Sequence, residues 1–131
     1  MMSDNFKIEI VNPEKLFLTK DDVKEVVLPA FEGEMGILKD HIPIISFLKP
    51  GIISIYTQSG KEKYFVEDGI IEFKSNNLSV LTSSIFNLDD LDQNRIQDLL
   101  RNAEDENNKT EINDQTKYLV DQKIEVLKSL N

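Results

Sequence analysis

Cysteine is missing from this chain of 131 residues, and histidine occurs once, as His41. The absence of cysteine excludes a disulfide scaffold, a thiolate zinc site and a cysteine nucleophile, and it fits a reducing compartment. A metal site built on histidine would need more than one imidazole, and the carboxylate clusters do not have EF-hand spacing. We therefore expect no metal site.

Long apolar runs are also missing. No run approaches the roughly 20 residues that span a bilayer. The first residues, MMSDNFKIEI, do not show the basic segment and apolar stretch of a secretory signal. We therefore expect no direct insertion into a membrane.

Arginine is scarce, with only Arg95 and Arg101, and the net charge is −9. Binding to nucleic acid draws on clustered lysine and arginine that neutralise phosphates. The composition therefore excludes nucleic acid as an expected partner.

The first 86 residues show short strand patterns separated by turn residues. FKIEIV alternates apolar and polar positions, and VKEVVL (23–28) predicts a strand that ends at Pro29. Residues 44–56 are apolar in both alternating positions in places, which predicts central strands covered on two faces. Repeated short strands of this kind predict an antiparallel β-sandwich or barrel over residues 1–86.

Dipeptides typical of turns separate the predicted strands in this half of the chain. Pro50-Gly51 suits a type II turn, and Asp68-Gly69 predicts a two-residue hairpin, because a type I′ turn needs positive φ at both central positions. Asn76-Asn77 predicts a further turn, since asparagine tolerates the left-handed region.

Residues 87–131 have the period of two amphipathic helices joined by a short polar loop, which predicts an antiparallel helical hairpin. Asp90 is the predicted N-cap of the first helix, with Gln93 in the capping-box position. The apolar face of the first helix comprises Leu91, Ile96, Leu99, Leu100 and Ala103. The face of the second comprises Leu119, Val120, Ile124, Val126, Leu127 and Leu130.

The stretch FEGEMGILKDHIP (31–43) concentrates carboxylates and the histidine, so an acid–base pair of His41 and Glu34 is one hypothesis. No phosphate-binding GxxxxGK[ST] loop is present, and no serine near His41 has a nucleophile elbow. The simpler interpretation is a turn histidine beside glycines that need unusual backbone angles. We therefore expect no catalytic residues.

The longer stretch EGEMGILKDHIPIISFLKPGII, together with DGIIE at 68–72, resembles the epsilon subunit of F-type ATP synthases over nearly the whole chain. The first stretch is similar to the family signature EGExGIL…xHxPxxxxLxPGxI, and the second to its GGxxEV hairpin, with Asp68 in place of the first glycine. The signature is matched at Glu32, Gly33, Glu34, Gly36, Ile37, Leu38, His41, Pro43, Leu48, Pro50, Gly51 and Ile53.

The resemblance implies a non-catalytic subunit of the central stalk, coupling the gamma subunit to the c-ring of a proton-translocating ATP synthase. Glu32, Gly33 and Glu34 would face the c-ring, and His41, Ile42 and Pro43 would face gamma. The hairpin (87–131) would regulate ATP hydrolysis, either folded on the sandwich (1–86) or extended into the catalytic alpha/beta head. The implied location is peripheral, on the cytoplasmic side of the bacterial inner membrane.

Leu91, Asp92 and Arg95 resemble the [IL]DxxRA motif through which some members bind regulatory ATP, with Ile96 in place of the alanine. No other cofactor is implied. Lys117, Lys123 and Lys128 are the basic residues of the second helix. An alternative outside this family is a stand-alone β-sandwich that binds a small ligand and is dimerised by the hairpin.

Overall fold

The computed structural model describes residues 5–109 and 111–130, and within them nine strands precede two α-helices. The strands are β1 (Phe6–Asn12), β2 (Lys15–Ala30), β3 (Gly33–Leu38), β4 (Ile44–Leu48), β5 (Gly51–Thr57), β6 (Gly60–Val66), β7 (Gly69–Lys74), β8 (Asn77–Leu81) and β9 (Ile85–Asn87). The helices are α1 (Gln93–Asn107) and α2 (Asp114–Ser129). The predicted α+β fold, a β-sandwich followed by a helical hairpin, is confirmed.

The long strand β2 contributes to both layers of the sandwich. What we call the front sheet has the order β4-β7-β8-β1, with the first half of β2 beside β1. The back sheet has the order β3-β2-β5-β6-β9 and uses the second half of β2. Pairing is antiparallel except between β1 and β8, which run parallel. A strand shared between layers closes the structure into a flattened barrel.

The sandwich core lies between the two sheets. On β1, Phe6, Ile8 and Ile10 point inward and are buried, while Lys7 between them is exposed. The ring of Phe6 packs edge-on against Phe73 of β7, with centroids 5.6 Å apart. The period of two in the sequence therefore gives the direction of the side chains correctly for this strand.

Asp68-Gly69 does not form the predicted hairpin. Strand β6 pairs with β5 and β9, whereas β7 pairs with β4 and β8, so this dipeptide crosses from the back sheet to the front sheet. Side chains fix the crossing: Thr82 Oγ1 donates to the carbonyl of Asp68 at 2.7 Å, and Ser83 Oγ donates to its carboxylate.

Pro50-Gly51 is a second crossing rather than a type II turn. The positive φ that such a turn requires at its third residue is absent from Gly51. Glycine is needed here for a different reason: a Cβ at this position would lie 2.5 Å from Cβ of Pro29. Close approach of the chain to Pro29 therefore explains this glycine.

Strand β2 does not end at Pro29 as predicted but continues to Ala30. Proline lacks an N–H group, yet its carbonyl accepts a hydrogen bond from the backbone N–H of Lys49 at 3.0 Å. At this position the strand uses the carbonyl of proline as an acceptor, so the missing N–H group does not end the strand.

The hairpin packs on the outer face of the back sheet. Phe65 of β6 meets Leu100 and Ala103 of α1 and Leu127 of α2 in an apolar cluster separate from the sandwich core. All four side chains are buried. Much of the apolar stripe of each helix therefore packs against the back sheet.

The first helix begins two residues later than predicted. Asp92 is its N-cap, and its carboxylate accepts from the backbone N–H of Arg95 at 2.8 Å. Asp90 instead closes a short 3₁₀ turn (Leu88–Asp90) that Asn87 caps. Two overlapping capping patterns in DDLD made the choice ambiguous from sequence alone.

Candidate docking surfaces

The tip between β2 and β3 carries the carboxylates of the opening motif. Phe31 and Glu32 form the turn, and Gly33 has φ of 135°, which side-chain-bearing residues rarely adopt. The side chains of Glu32 and Glu34 are exposed. The backbone N–H of Phe31 donates to the carbonyl of Phe47 at 3.1 Å, which ties the tip to β4.

The loop between β3 and β4 holds His41, Ile42 and Pro43. Asp40, with φ of 66°, donates its backbone N–H to Asn76 Oδ1 at 2.7 Å, and Asn76 Nδ2 donates back to Asp40 Oδ1 at 3.1 Å. This reciprocal pair clamps the loop to the β7–β8 turn. The turn itself uses Ser75 and Asn76, the two residues with positive φ, one position before the predicted Asn76-Asn77.

The geometry contradicts the hypothesis of an acid–base pair. His41 Nδ1 lies 2.7 Å from the carbonyl of Ile42, and its ring meets Phe73 edge-on at 5.8 Å. Phe73 pairs with Ile44 at the start of β4, whereas Glu34 lies near the end of β4. The imidazole and the carboxylate therefore lie at opposite ends of the same strand.

An apolar row crosses the outer face of the front sheet. Directly paired residues point to the same face, and the register aligns one side chain from each of five strands. The row comprises Phe47, Ile70, Leu81, Val11 and Leu16. Four of these are 44–57% exposed, and Val11 is partly buried. A contiguous apolar patch of this kind marks an interaction surface.

Sequence reasoning missed this row because it interpreted the apolar residues of β4 as covered on both sides. Ile45 and Phe47 are in fact 67% and 57% exposed, so only the inner face of β4 is buried in the isolated chain. Apolar residues on both faces of a strand predict two covered faces but do not tell whether a partner covers one of them. For β5, the prediction that both faces are covered is correct, because the helices cover its outer face.

Rows with charged side chains lie next to the apolar row on the same face of the front sheet. The next row on the same face includes Glu72, Ser79 and Glu9, and the one beyond it includes Lys74 and Lys7. Along its strands the outer face of the front sheet therefore changes from the apolar row to a row in which the exposed Ile45 lies beside Glu72, and then to lysines.

Leu91, Asp92 and Arg95 line one cavity of about 400 Å³ together with Phe86 and Asp90. Asp92 serves as the helix cap, and the guanidinium carbon of Arg95 lies 5.4 Å from the ring centroid of Phe86. The three basic residues of α2 do not line this cavity. It therefore presents one cation and two carboxylates.

Three further features bear on metal binding, membrane insertion and acid–base chemistry. Among residues 5–109 and 111–130, no three potential metal ligands cluster, and neither helix has the length and apolarity to cross a bilayer. Burial raises the pKa of Tyr64, as does the hydrogen bond of 2.8 Å that its hydroxyl donates to Glu62. This phenol therefore stays protonated at neutral pH.

Comparison with known proteins shows the family of this chain. Residues 5–87 match the family described as ATP synthase, Delta/Epsilon chain, beta-sandwich domain. The ATP synthase epsilon chain of Pelagibacter ubique is 70% identical over 130 residues, covering 99% of this chain and 100% of that one. The epsilon chain of Rhizobium meliloti is 38% identical over 101 residues, covering 73% and 75%.

Two cryo-EM structures share the fold. A chain of the Euglena gracilis mitochondrial ATP synthase has a TM-score of 0.74 at 18% identity, covering 99% of this chain and 81% of that one. A chain from the central stalk and c-ring of the Tetrahymena thermophila enzyme has a TM-score of 0.72 at 13% identity, covering 94% and 93%. The fold is thus one found in ATP synthase assemblies. The family match and the relatives show the class, the non-catalytic subunits of ATP synthase. The chain belongs to the family of ATP synthase epsilon chains.

Proposed function

We propose that the chain is a rotor subunit of the central stalk that couples the gamma subunit to the c-ring and restrains ATP hydrolysis through its hairpin. The observation that carries this proposal is the exposed apolar row of the front sheet. Burying one such side chain contributes about 1.5–3 kcal/mol, so a partner that covers the row gains substantial binding free energy. Most of the other large apolar side chains of the sheets are already covered.

Gamma would lie on the front sheet, across the apolar row and toward the loop of His41, Ile42 and Pro43. Ile42 is 72% exposed, and the clamp between Asp40 and Asn76 holds its loop in place before any partner arrives. A surface that is already ordered loses less conformational entropy on binding.

The c-ring would meet the tip formed by Glu32, Gly33 and Glu34. The tip and the His41 loop lie at opposite ends of β4, and the apolar row reaches the tip at Phe47, so the two partners would come close together at that end of the sandwich. The exposed carboxylates suit polar loops rather than lipid. In such an assembly the chain would lie peripherally, on the cytoplasmic side of a bacterial inner membrane, in keeping with its bacterial relatives.

The hairpin would regulate hydrolysis by leaving the back sheet and extending along gamma into the alpha/beta head. Helices of 15 and 16 residues are marginal alone in water, so they need a surface to pack on. The apolar cluster around Phe65 supplies that surface here. Another apolar surface could replace it, which would bring the two positions close in free energy.

Reconstitution on an ATPase core that lacks its epsilon subunit tests the proposal. The full chain is expected to bind the core and lower its rate of ATP hydrolysis. A chain ending at Asn87 is expected to bind the core as well but to inhibit hydrolysis less. The sandwich retains its own core after that truncation, because the residues of that core lie before Asn87. Equal inhibition by both chains would contradict regulation by the hairpin, and no binding by either would contradict the rotor function.

Regulatory ATP on the hairpin is a second proposal, supported by the shared cavity of Leu91, Asp92 and Arg95. Because two carboxylates line that cavity, Arg95 would have to supply most of the attraction for the phosphates. Calorimetry of ATP against the full chain is expected to show binding that Arg95→Ala weakens by about tenfold or more, given the strength of charge-assisted contacts. Arg101→Ala, on the same helix but outside the cavity, serves as the matched control. Absence of heat with the unsubstituted chain would reject the site.

A further inference from the structure

One edge of β4 has backbone groups that face no neighbouring strand. On one side β4 pairs with β7 along its whole length, and on the other side it pairs only at Leu48, opposite Ala30. There the backbone N–H of Phe31 donates to the carbonyl of Phe47. In an antiparallel pair, successive residues alternate in the side to which both of their backbone groups point. The N–H of Phe47 and both backbone groups of Ile45 therefore point to the same side as that carbonyl, which we call the open edge of β4.

The open edge offers hydrogen bonds that the chain itself does not use. Among the residues that the structure describes, no group pairs with the N–H or the carbonyl of Ile45, or with the N–H of Phe47. The edge therefore presents a donor, an acceptor and a second donor at the spacing of a β-ladder. An extended backbone carries complementary groups at the same spacing, so an added strand is the ligand that fits this edge.

Strand β4 also lacks the features that keep exposed strand edges from pairing. Such features are charged side chains, proline and short length. The strands at the two ends of the back sheet have them: β3 carries the exposed Glu34, and β9 is three residues long. By contrast, β4 has five residues, IISFL, with no charge and no proline. Its open edge is therefore a favourable template for strand pairing.

The side chains beside the open edge indicate which partner would pair with it. Ile45 and Phe47 are 67% and 57% exposed on the outer face of the front sheet. Phe47 is also the first residue of the apolar row, so a partner that covers the row reaches the open edge directly. Because β4 carries no charge, a segment with uncharged and mostly apolar side chains is complementary to it. The bond from Phe31 to the carbonyl of Phe47 closes one end, so the added strand must stop there.

We propose that an extended segment of the gamma subunit adds a strand to the front sheet at the open edge of β4. The proposal rests on the proposed function, because it takes gamma to be the partner that covers the apolar row. Carbonyls of the segment accept from the N–H groups of Ile45 and Phe47, and one of its N–H groups donates to the carbonyl of Ile45. These bonds fix the register of gamma on the sheet, and the apolar row supplies most of the contact area.

Ile45→Pro removes one of these donors and leaves the pairing of β4 with β7 intact, because the N–H of Ile45 points to the open edge. Proline is tolerated in an edge strand where the missing N–H faces solvent. Calorimetry with purified gamma subunit compares this variant with Ile45→Ala, which removes the apolar side chain but keeps the N–H. Ile45→Pro is expected to bind about tenfold more weakly than Ile45→Ala, since a carbonyl of gamma is left unpaired in the complex. Equal affinities of the two folded variants would overturn the proposal.

Amide-resolved hydrogen exchange of the unsubstituted chain supplies a second test, which does not depend on the folding of Ile45→Pro. In the free chain the amides of Ile45 and Phe47 should exchange fast, while the amide of Ser46, which is bonded to β7, exchanges slowly. Bound gamma should slow exchange of the first two by about tenfold or more, as expected for amides that become hydrogen-bonded. Unchanged exchange at both would contradict strand addition.

A second copy of this chain is the competing occupant of the open edge. Slow exchange at Ile45 and Phe47 in the free chain, together with a dimer in analytical ultracentrifugation, would assign the edge to that copy and overturn the proposal. The proposed function survives each of these negative results, because it requires only that the unsubstituted chain binds gamma.

Discussion

Phe65→Ala is expected to release the hairpin while the sandwich stays folded. The ring of Phe65 is fully buried, yet it lies on the outer face of the back sheet, at the centre of the cluster with Leu100, Ala103 and Leu127. Replacing a buried phenylalanine by alanine costs about 3–5 kcal/mol. Because the two helices have little stability without this surface, the loss falls mainly on their attachment.

Hydrogen exchange resolved along the chain measures this effect. Protection should fall in α1 and α2 and persist in β1, β7 and β8. Phe73→Ala is the matched control, since Phe73 is equally buried but belongs to the core between the sheets. That variant should lower the protection of the sandwich strands as well. A global loss of protection in Phe65→Ala would show that the hairpin and the sandwich unfold as one unit.

The helices are the part of the fold that the sequence predicts best. The predicted stripes include Ile96, Leu100, Ala103, Val120 and Leu127, and all five are buried in the structure. Helical contacts are local, so the period of 3.6 residues contains most of the information needed. The cap was wrong, because neighbouring aspartates offered two starts for the same helix, and Leu91 of the predicted first stripe therefore lies before α1.

Connections between strands were predicted poorly because turn chemistry does not reveal which strands pair. Asp68-Gly69 and Pro50-Gly51 are good turn dipeptides, and in each the glycine is the first residue of a strand. Each carries the chain from one sheet to the other, a choice decided by pairing with strands distant in sequence. Hairpin rules describe local geometry and cannot distinguish such a crossing from a return within one sheet.

The candidate surfaces, too, could be predicted only in part from the sequence. The motif assigns Glu32–Glu34 and His41–Pro43 to partner contacts, which stays a prediction, and the apolar row of the front sheet could not be found from the motif. The row from Phe47 to Leu16 exists because five strands align in register, one pair of them parallel. The exposed apolar residues of β4 were the available signal, and a partner-covered face looks the same as a core-covered face in sequence.

Phe47→Glu is expected to abolish most binding to gamma without unfolding the chain. The side chain of Phe47 is 57% exposed, so the isolated sandwich should accept a carboxylate there with little change in its free energy of unfolding. In the proposed complex the same position lies at the end of the apolar row, beside the tip. An unpaired carboxylate buried there costs several kcal/mol, so we expect affinity to fall about 100-fold or more.

Titration of the full chain with purified gamma measures the loss, with thermal unfolding recorded in parallel. Tyr118→Glu introduces the same charge at an aromatic residue of comparable exposure on α2 and should leave affinity within about threefold of the original, as expected for a residue outside the interface. If Phe47→Glu bound as well as Tyr118→Glu, gamma would not lie across this end of the row. Because the row continues through Ile70 and Leu81 to Leu16, the same substitution at each position in turn should then trace how far across the front sheet the interface extends.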